Sequence, residues 1–595
     1  MTRSIALVGG GPRAVAVVSR LCATSTVISA ELPLTIHLID AVEPGAGRTW
    51  RTDQNRFLLC NTYAAETTVF ADASIPTLGP SATGPSLDQW LDEILGDTDS
   101  FDDWIAAEAS WLHAWSYPPR ALQGSYFRWA LDRIISQAPA HVSVEMTRAT
   151  AVSLDEGESG KQLLTCSDGS ALKVDAVILL QGLLTSGRAA EVNELTLAAN
   201  RAKLTYVPPG MPSEQNWDVL GAGKRVLVRG LGANFFDAIG ILFEGRGGRF
   251  SRDSAGMLHY HPSGREPFLC AGSRHGLPYR AKSYYAGGLP GPCELPRFSA
   301  EREASLLRQY GGTKSVDFAQ ELADDVIADF RDIFQATARA GGSDEARFDW
   351  DEIVYPATIT PWANQAEWSA FFDRYSMSEL VRIHTPESSP SKAVHRAVET
   401  ARRRLSRLVI AGIFDPVSVV RDLKGNFLPR SLVTSSGPPP ERAEQLFALC
   451  RAGYIEILGP GLKIECHPDG FVATSSLPDQ RRVAGVLLEA RMDLGDLRST
   501  DDPLVRHLLE TGQARFYSVT DADGTVMTTG TLDVTSDNFL LVDAQGTPHP
   551  RRIVLGSPAG DVQFNTAIGA IPNTGDKMLV GAERAAVCAL TAISF

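Results

Sequence analysis

The sequence predicts an α/β protein with two Rossmann-like dinucleotide-binding domains and a helical insertion. The prediction rests on two glycine turns, Gly9–Gly11 and Gly230–Gly232, each preceded by a short apolar strand and followed by a helical pattern. In such a strand–turn–helix unit, the first turn of the helix presents backbone N–H groups and a partial positive charge to a phosphate. Because the chain contains two of these units, we expect it to bind two dinucleotides.

The first unit begins with the apolar strand 5–8 and ends with a second apolar strand, 35–39, that leads into Asp40. Gly9 permits the tight turn, Gly11 lets the backbone approach a pyrophosphate, and Ala14 keeps the helix close to the strand. Asp40 is expected to accept hydrogen bonds from a ribose, although it lies further along than the usual distance of about twenty residues. The residues assigned to this site are Gly9, Gly11, Pro12, Arg13, Ala14 and Asp40.

The loop after Asp40 is expected to follow the nucleotide from its ribose towards its reactive ring, because ligands bind outside the carboxyl ends of parallel strands. Its candidate contacts are Arg48, Trp50, Asn61 and Thr62. For each residue taken singly, an ordinary surface loop is an alternative interpretation. Three short strands between 151 and 174 then lead into the buried run 175–182, whose terminal Gly182 is expected to pass close to the cofactor.

The second unit comprises the strand 225–229, the turn with Gly230 and Gly232, and a helix in which we also assign Asn234 to the cofactor. Phe235 occupies the third glycine position, so the fingerprint is incomplete. Three arginines, at 246, 249 and 252, lie where we expect the second strand to end, and Arg249 is assigned to the cofactor. Arginine there suits a 2′-phosphate and favours NADPH over NADH. A solvated basic turn is the alternative.

Composition excludes several other classes of protein. The net charge of −14 and a pI near 5.4 argue against a dedicated nucleic-acid binder and against a basic membrane-surface protein. The eight cysteines form no CxxC pair, which indicates reduced thiols and no metal site. The first strand starts at once, without room for a signal peptide, and no apolar run is long enough to span a bilayer. We therefore expect a cytoplasmic protein.

The rest of the chain suggests how the domains are arranged. The segment 265–288 is rich in cations, and we expect Arg274, Arg280 and Lys282 to contact anions. A Ser/Gly/Pro-rich stretch at 435–440 marks a boundary. Near the end, a buried strand runs into Gly556 and is followed by a polar turn. The predicted domains are a first FAD-binding part (1–205), an NADP-binding domain (206–297), a helical insertion with the remainder of the NADP/substrate domain (298–439) and a second FAD-binding part (440–595).

Two nucleotide motifs in one chain suggest electron transfer from a nicotinamide to a flavin. Taken together, the motifs resemble the bacterial FAD/NAD(P)-binding proteins related to flavin-dependent N-hydroxylating monooxygenases, among them the aspartate N-monooxygenases that form nitrosuccinate. The segments that carry this resemblance span nearly the whole chain and are 9–14, 59–62, 66–70, 230–232 with Asp237, 244–250, 273–278 and 564–567.

The resemblance implies an enzyme that uses FAD, NADPH and O₂ to oxidise the amino nitrogen of a small, anionic, aspartate-like amino acid. It implies a C4a-(hydro)peroxyflavin and leaves open whether oxidation continues to a nitro product. We assign Asn565 and Thr566 to the flavin edge and to catalysis, and Arg280 and Lys282 to the substrate anion. Two alternatives stay open, a flavin-dependent amine or amino-acid oxidase or dehydrogenase, and a non-catalytic dinucleotide-binding protein. No nucleic-acid or membrane partner is expected, and a homo-oligomer is allowed.

Overall fold

The structure is a computed structural model that describes the chain except for residues 1–2, 29, 31, 186–188, 286–287, 344–346, 493–494, 565, 567–568 and 595. Its strands are β1 (Arg3–Val8), β2 (Leu34–Asp40), β3 (Val142–Arg148), β4 (Ala151–Glu156), β5 (Gln162–Cys166), β6 (Ala171–Val174), β7 (Ala176–Leu179), β8 (Thr205–Val207), β9 (Arg225–Arg229), β10 (Arg249–Arg252), β11 (Leu258–His261), β12 (Phe268–Gly272), β13 (Ile455–Ile457), β14 (Lys463–His467), β15 (Gly470–Thr474), β16 (Arg481–Ala484), β17 (Val486–Glu489), β18 (Phe516–Thr520), β19 (Val526–Leu532), β20 (Leu540–Val542) and β21 (Pro548–Val554).

The helices are α1 (Pro12–Ile28), α2 (Leu87–Gly96), α3 (Asp103–Ala109), α4 (Arg120–Ser136), α5 (Ala190–Ala202), α6 (Ala233–Leu242), α7 (Ala300–Tyr310), α8 (Phe318–Glu321), α9 (Ala323–Ala340), α10 (Trp350–Val354), α11 (Gln365–His384), α12 (Pro390–Ile410), α13 (Pro416–Ser418), α14 (Leu428–Ser435), α15 (Pro440–Arg451), α16 (Pro503–Glu510), α17 (Gly560–Gln563) and α18 (Lys577–Ser594). A π-helix, Val419–Phe427, joins α13 to α14.

The chain forms two compact units. Unit 1 comprises Met1–Arg56, Thr62–Arg188 and Leu494–Phe595, and unit 2 comprises Phe57–Asn61 and Ala189–Asp493. Unit 1 contains a six-stranded sheet in the order β20-β21-β7-β1-β2-β3, parallel except for β20. Successive side chains of β1 face opposite sides of this sheet. Ile5 and Leu7 pack with α1, α4 and α18, whereas Ala6 and Val8 pack with the β4–β6 meander and α16.

Unit 2 contains a five-stranded parallel sheet in the order β13-β12-β9-β17-β8. Val226 and Val228 pack with α6 and α15 on one face, and Leu227 packs with the β14–β16 meander on the other. In both units, therefore, an antiparallel meander leads into a buried strand beside the first strand of the nucleotide motif. The predicted α/β class with two Rossmann-type sheets is confirmed.

The two compact units differ from the predicted domain bounds around residue 440. Residues 440–493 lie in unit 2, because β13 hydrogen-bonds to β12 and β17 hydrogen-bonds to β9. The strands that complete the first sheet, β20 and β21, begin only at residue 540. Helices α7–α14 fill the region predicted as helical. In the part of the chain that the structure describes, no helix combines the length and apolarity needed to cross a membrane.

Candidate functional site

The first candidate site lies at the carboxyl edge of the unit 1 sheet. Val8 at the end of β1 is in register with Ile39 of β2 and with Leu179 of β7, which in turn pairs with Val554 of β21. Four strands therefore end together. Asp40 is the last residue of β2, and Gly9, Gly182 and Gly556 follow the ends of the other three strands, at the edge where a parallel sheet binds its ligands.

The glycine turn after β1 fits a pyrophosphate. Gly9 has φ +105°, and a Cβ there would lie 2.5 Å from the carbonyl oxygen of Leu180, so the turn requires glycine. Gly11 differs, since a Cβ there would find no atom of the described residues within 4 Å. The space over Gly11 adjoins the first turn of α1, whose N–H groups and dipole favour an anion. Ala14 is fully buried behind the turn, as predicted for close helix packing.

Asp40 holds the glycine turn in place. Its Oδ2 accepts a hydrogen bond from the backbone N–H of Gly10 at 2.5 Å, and its Oδ1 accepts one from the N–H of Val42 at 2.7 Å. Each carboxylate oxygen has a second lone pair, so a ribose hydroxyl can still be accepted. The loop after Asp40 packs directly on the same turn. The N–H of Gly45 donates to the carbonyl of Gly10 at 2.6 Å, and a Cβ on Gly47 would lie only 2.8 Å from the Cα of Gly11.

Arg13 joins the turn to the end of the chain. Its Nη2 donates to the carbonyl oxygen of Thr566 at 2.9 Å, and a Cβ on Gly556 would lie 2.9 Å from its Nε. Loss of hydration lowers the pKa of Arg13 to about 10, an effect that the carboxylate of Asp576 opposes. Arg13 is therefore a cation at neutral pH beside the start of α1. Asn565, the other residue assigned to the flavin edge, lies outside the described residues.

The remaining residues assigned to the first cofactor have diverse surroundings. Trp50 is half-buried, and its ring packs edge-on against that of Phe127 with centroids 5.9 Å apart. The backbone carbonyl oxygen of Trp50 occupies the position that a Cβ on Gly124 would take. Gly182 has φ +70° and, in the described structure, no neighbour within 4 Å of a Cβ position. Half-buried Arg48 follows Gly47 in the sequence. Thr62 is half-buried at the start of the second segment of unit 1, and Asn61 is exposed at the end of the first segment of unit 2.

The second glycine turn lies at the carboxyl edge of the unit 2 sheet. Gly230 has φ +117°, and a Cβ there would lie 2.7 Å from the carbonyl oxygen of Ala490, the counterpart of the contact made by Gly9. Gly232 is the N-cap of α6, and the ring of Tyr279 lies 3.6 Å from its Cβ position. Asn234 is buried and donates to the carbonyl of Gly210 at 3.2 Å. Phe235, fully buried, packs into the core in place of the third glycine.

The arginines at 246, 249 and 252 do not end the second strand of this unit, so that prediction is wrong. Arg249 and Arg252 belong to β10, which pairs with β11 in an antiparallel hairpin outside the parallel sheet. Arg246 donates to the carbonyls of Leu220 and Trp217. The strand next to β9 is instead β12, whose apolar run 268–272 was the sequence signal available for it.

Residues 273–275 follow β12 and occupy the position at which a 2′-phosphate is bound in such units. Arg274 is exposed there, and its Nε lies 3.2 Å from the Nε2 of His275. The His275 ring stacks on Tyr355 with centroids 3.8 Å apart. Burial, followed by the charges of Arg274 and Arg430, lowers the pKa of His275 to about 4. Arg274, predicted from the sequence to contact an anion and to help bind the cofactor, is thus better placed than Arg249 to meet a phosphate.

Arg280 and Lys282, assigned to the substrate anion, have different environments. The guanidinium of Arg280 is buried and hydrogen-bonds to the hydroxyl of Tyr375 at 2.8 Å. The ammonium of Lys282 pairs with the carboxylate of Glu399 at 2.7 Å, so its charge is already compensated within the protein. The assignment of Arg280 and Lys282 to the substrate anion stays a prediction.

Comparisons with known proteins find a matching family model and similar full-length proteins. Residues 6–184 match the FAD-NAD(P)-binding family model. An L-aspartate N-monooxygenase (nitrosuccinate-forming) from Streptomyces cremeus is 36% identical over 98% of this chain and 93% of its own, and one from Streptomyces davaonensis is 33% identical over 99% and 97%. A nitrosuccinic acid synthase from Aspergillus oryzae is 34% identical over 99% and 93%.

Among solved structures, the FAD-bound cadaverine monooxygenase of desferrioxamine biosynthesis from Erwinia amylovora is similar with a TM-score of 0.44, at 12% identity over 99% of this chain and 95% of that one. The family assignment rests on the sequence relatives, whose matches span almost the full length of both chains. The chain belongs to the flavin-dependent N-hydroxylating monooxygenases, in the family of the nitrosuccinate-forming L-aspartate N-monooxygenases.

Proposed function

We propose that this protein oxidises the amino nitrogen of L-aspartate with NADPH and O₂, and that nitrosuccinate is its product. The observation that carries this proposal is identity of 33–36% over at least 98% of the chain with three proteins named for that reaction or product. For the first oxidation, one amine, one O₂, one NADPH and one proton give a hydroxylamine, water and NADP⁺. The nitrogen needs its lone pair, so the amine reacts unprotonated.

The residues of unit 1 support FAD binding at the edge where β1, β2, β7 and β21 end. Bound FAD and NADPH supply hydride transfer and the activation of O₂. The space over Gly11, the first turn of α1 and the cation of Arg13 suit the pyrophosphate. Asp40 keeps the turn in position through the N–H of Gly10, and Thr566 is held by Arg13 at the same edge.

The residues of unit 2 support NADPH binding at the edge where β9, β12 and β17 end. Gly230 and Gly232 place the first turn of α6 at this edge, and this helix is long enough to present a dipole to a phosphate. The ring of Tyr279 forms a wall beside Gly232. Arg274, after β12, is proposed to pair with the 2′-phosphate, since guanidinium groups bind phosphates through paired N–H donors.

The test is a reaction of the FAD-loaded protein with NADPH, L-aspartate and ¹⁸O₂, followed by mass spectrometry of the amino-acid products. Label in N-hydroxyaspartate or nitrosuccinate, with NADPH consumed in proportion, is the expected result. Hydrogen peroxide as the sole product, with aspartate unchanged, would contradict the proposal. Turnover of aspartate without NADPH would favour the oxidase alternative.

A cytoplasmic location and a homo-oligomeric state are further proposals. The eight cysteine side chains are free thiols, which suits a reducing compartment. Light scattering of the purified protein measures its mass in solution directly. A mass equal to one chain would contradict the oligomer.

A further inference from the structure

A cavity of about 330 Å³ lies among the helices of unit 2. Helices α9, α10, α11 and α12 and the segment around Arg280 surround it. Its volume is at the lower end of the range of about 300–1,000 Å³ that is typical of small-molecule sites. Four arginines contribute to its lining, namely Arg280, Arg347, Arg374 and Arg382.

Arg280 is a buried cation whose partners are all neutral. It is 5% exposed, and its guanidinium donates to the carbonyl oxygens of Pro278 at 3.1 Å and Val354 at 3.2 Å and to the hydroxyl of Tyr375. It makes no ion pair with any described residue. A buried charge is costly unless it is paired, so this arginine is suited to an anionic ligand.

Glu379, one of three carboxylates that line the cavity, does not supply that counter-charge. Glu379 is 2% exposed and pairs with the equally buried Lys392 at 2.5 Å, while Lys392 also donates to the carbonyl of Ala281. Arg382, on the same helix as Glu379, is half-exposed and has no ion pair among the residues that the structure describes. Asp349 and Glu352 also line the cavity, and Asp349 lies 3.8 Å from Arg347. Once the pairs Lys392–Glu379 and Arg347–Asp349 cancel, the lining keeps three arginines, Arg280, Arg374 and Arg382, against one carboxylate, that of Glu352.

His395 adds an unused polar atom. It is 7% exposed, and its Nε2 is buried with no hydrogen-bond partner in the described structure. Burial holds the pKa of His395 well below its ordinary value, and the charges of Lys392, Arg280 and Arg382 add to this effect. The ring is therefore neutral at pH 7. Buried polar atoms in proteins are normally hydrogen-bonded, so an orphaned one in a cavity wall indicates a missing partner.

We propose that this cavity binds a small dicarboxylate anion. Arg280 and Arg382 are two separate cations, and guanidinium groups pair well with planar carboxylates, so each can take one end of such a ligand. His395 offers a further polar contact without adding charge. The choice of dicarboxylates over other anions rests on the proposed function, whose substrate belongs to this class.

The first experiment is isothermal titration calorimetry of the full-length, FAD-loaded protein with succinate, which cannot be N-oxidised. Succinate and L-aspartate are expected to bind, and the uncharged succinamide is not. Inorganic phosphate separates a dicarboxylate site from a general anion site. Failure of succinate to bind, or phosphate binding as tightly as succinate, would overturn the proposal.

The second experiment compares Arg382→Met with Arg308→Met. Charge-assisted hydrogen bonds contribute about 1.5–3 kcal/mol, so Arg382→Met is expected to weaken succinate binding about 10- to 150-fold. Arg308 is exposed on α7 and does not line the cavity, so its replacement makes the same change of charge without the expected effect. Arg382 carries the test because it is half-exposed, whereas replacing the buried Arg280 threatens folding.

Unchanged affinity in Arg382→Met would refute the assignment. The affinity for succinate is measured without any oxygen transfer to a substrate. If succinate binding depends on Arg382 but aspartate is not oxidised, the dicarboxylate site stands and the proposed function is wrong. If aspartate is oxidised but succinate binding does not depend on Arg382, the proposed function stands and the dicarboxylate site is wrong.

Discussion

Replacing Gly11 by alanine is expected to separate cofactor binding from folding. A Cβ at Gly11 meets no described atom within 4 Å and its φ is not positive, so the folded chain accommodates it. Such a glycine-to-alanine change even stabilises a protein by about 0.4–1 kcal/mol, because it restricts the unfolded chain. The new methyl group nevertheless fills the space in which we place the pyrophosphate of FAD.

The size of the effect follows from the contacts that the methyl group displaces. Hydrogen bonds to a charged group contribute about 1.5–3 kcal/mol, so moving the pyrophosphate away from the turn raises the dissociation constant of FAD about 10- to 150-fold. Gly9→Ala is the matched control. Its Cβ would lie 2.5 Å from the carbonyl of Leu180 at φ +105°, so this variant loses stability with or without cofactor. Strained backbone of this kind costs about 1–3 kcal/mol before the clash is added.

The assay is a fluorescence titration of the apoprotein with FAD, combined with the unfolding midpoint measured without FAD. Gly11→Ala should unfold at the midpoint of the native apoprotein or slightly above it, and should bind FAD more weakly. Native affinity for FAD in Gly11→Ala would refute the placement of the pyrophosphate. A midpoint as low as that of Gly9→Ala would refute our reading of the open space over the turn.

Three further predictions concern cofactor choice and stability. Arg274→Ser should raise KM for NADPH about tenfold, because one charge-assisted hydrogen bond is lost, and should leave KM for NADH unchanged. Arg249→Ser, in the hairpin, should change neither KM. Equal effects of the two variants would contradict the role given to Arg274. The pKa of His275 falls from 6.5 to about 4 on folding, so the unfolded chain binds more protons between these values and the free energy of unfolding declines as pH drops through this window. In urea denaturation at pH 7 and pH 5, His275→Phe should show a smaller decline in the free energy of unfolding than the unchanged protein. An identical decline would count against burial of His275 as its cause. Arg20 is 1% exposed and its guanidinium lies 2.6 Å from the Glu583 carboxylate. Glu583→Gln removes this counter-ion and should lower the free energy of unfolding by about 3–5 kcal/mol. A loss below about 1 kcal/mol in urea denaturation would show that the ion pair is dispensable.

Local sequence sufficed to predict the two nucleotide units. The strand before Gly9 is apolar throughout because both faces of the parallel sheet are covered, and the turn needs glycine because its φ is positive. The same reasoning located β9 and the turn at Gly230. The β4–β6 meander was also predictable, since alternating side chains and short turns define it within a few residues.

The prediction of the second strand in unit 2 was wrong, because it used spacing along the chain instead of the pairing between strands. The position after α6 was assigned to the second strand because such units are usually short. A hairpin, β10–β11, occupies it, and β12 takes the place in the sheet. The Ser/Gly/Pro-rich stretch at 435–440 was read as the start of the second FAD-binding part, 440–595, although β13 and β17 hydrogen-bond to the sheet of unit 2.

The sequence by itself determined the fold class, the two glycine turns and the family, because each depends on residues that are close together or on full-length similarity. Only the tertiary structure decided which distant residues meet. It brought Arg13 to Thr566, put Arg249 in a hairpin outside the parallel sheet, and gave Arg280 the Tyr375 hydroxyl and Lys282 the Glu399 carboxylate as partners. Contacts of this kind depend on strand order and side-chain burial, and neither is encoded in the spacing of the residues that make them.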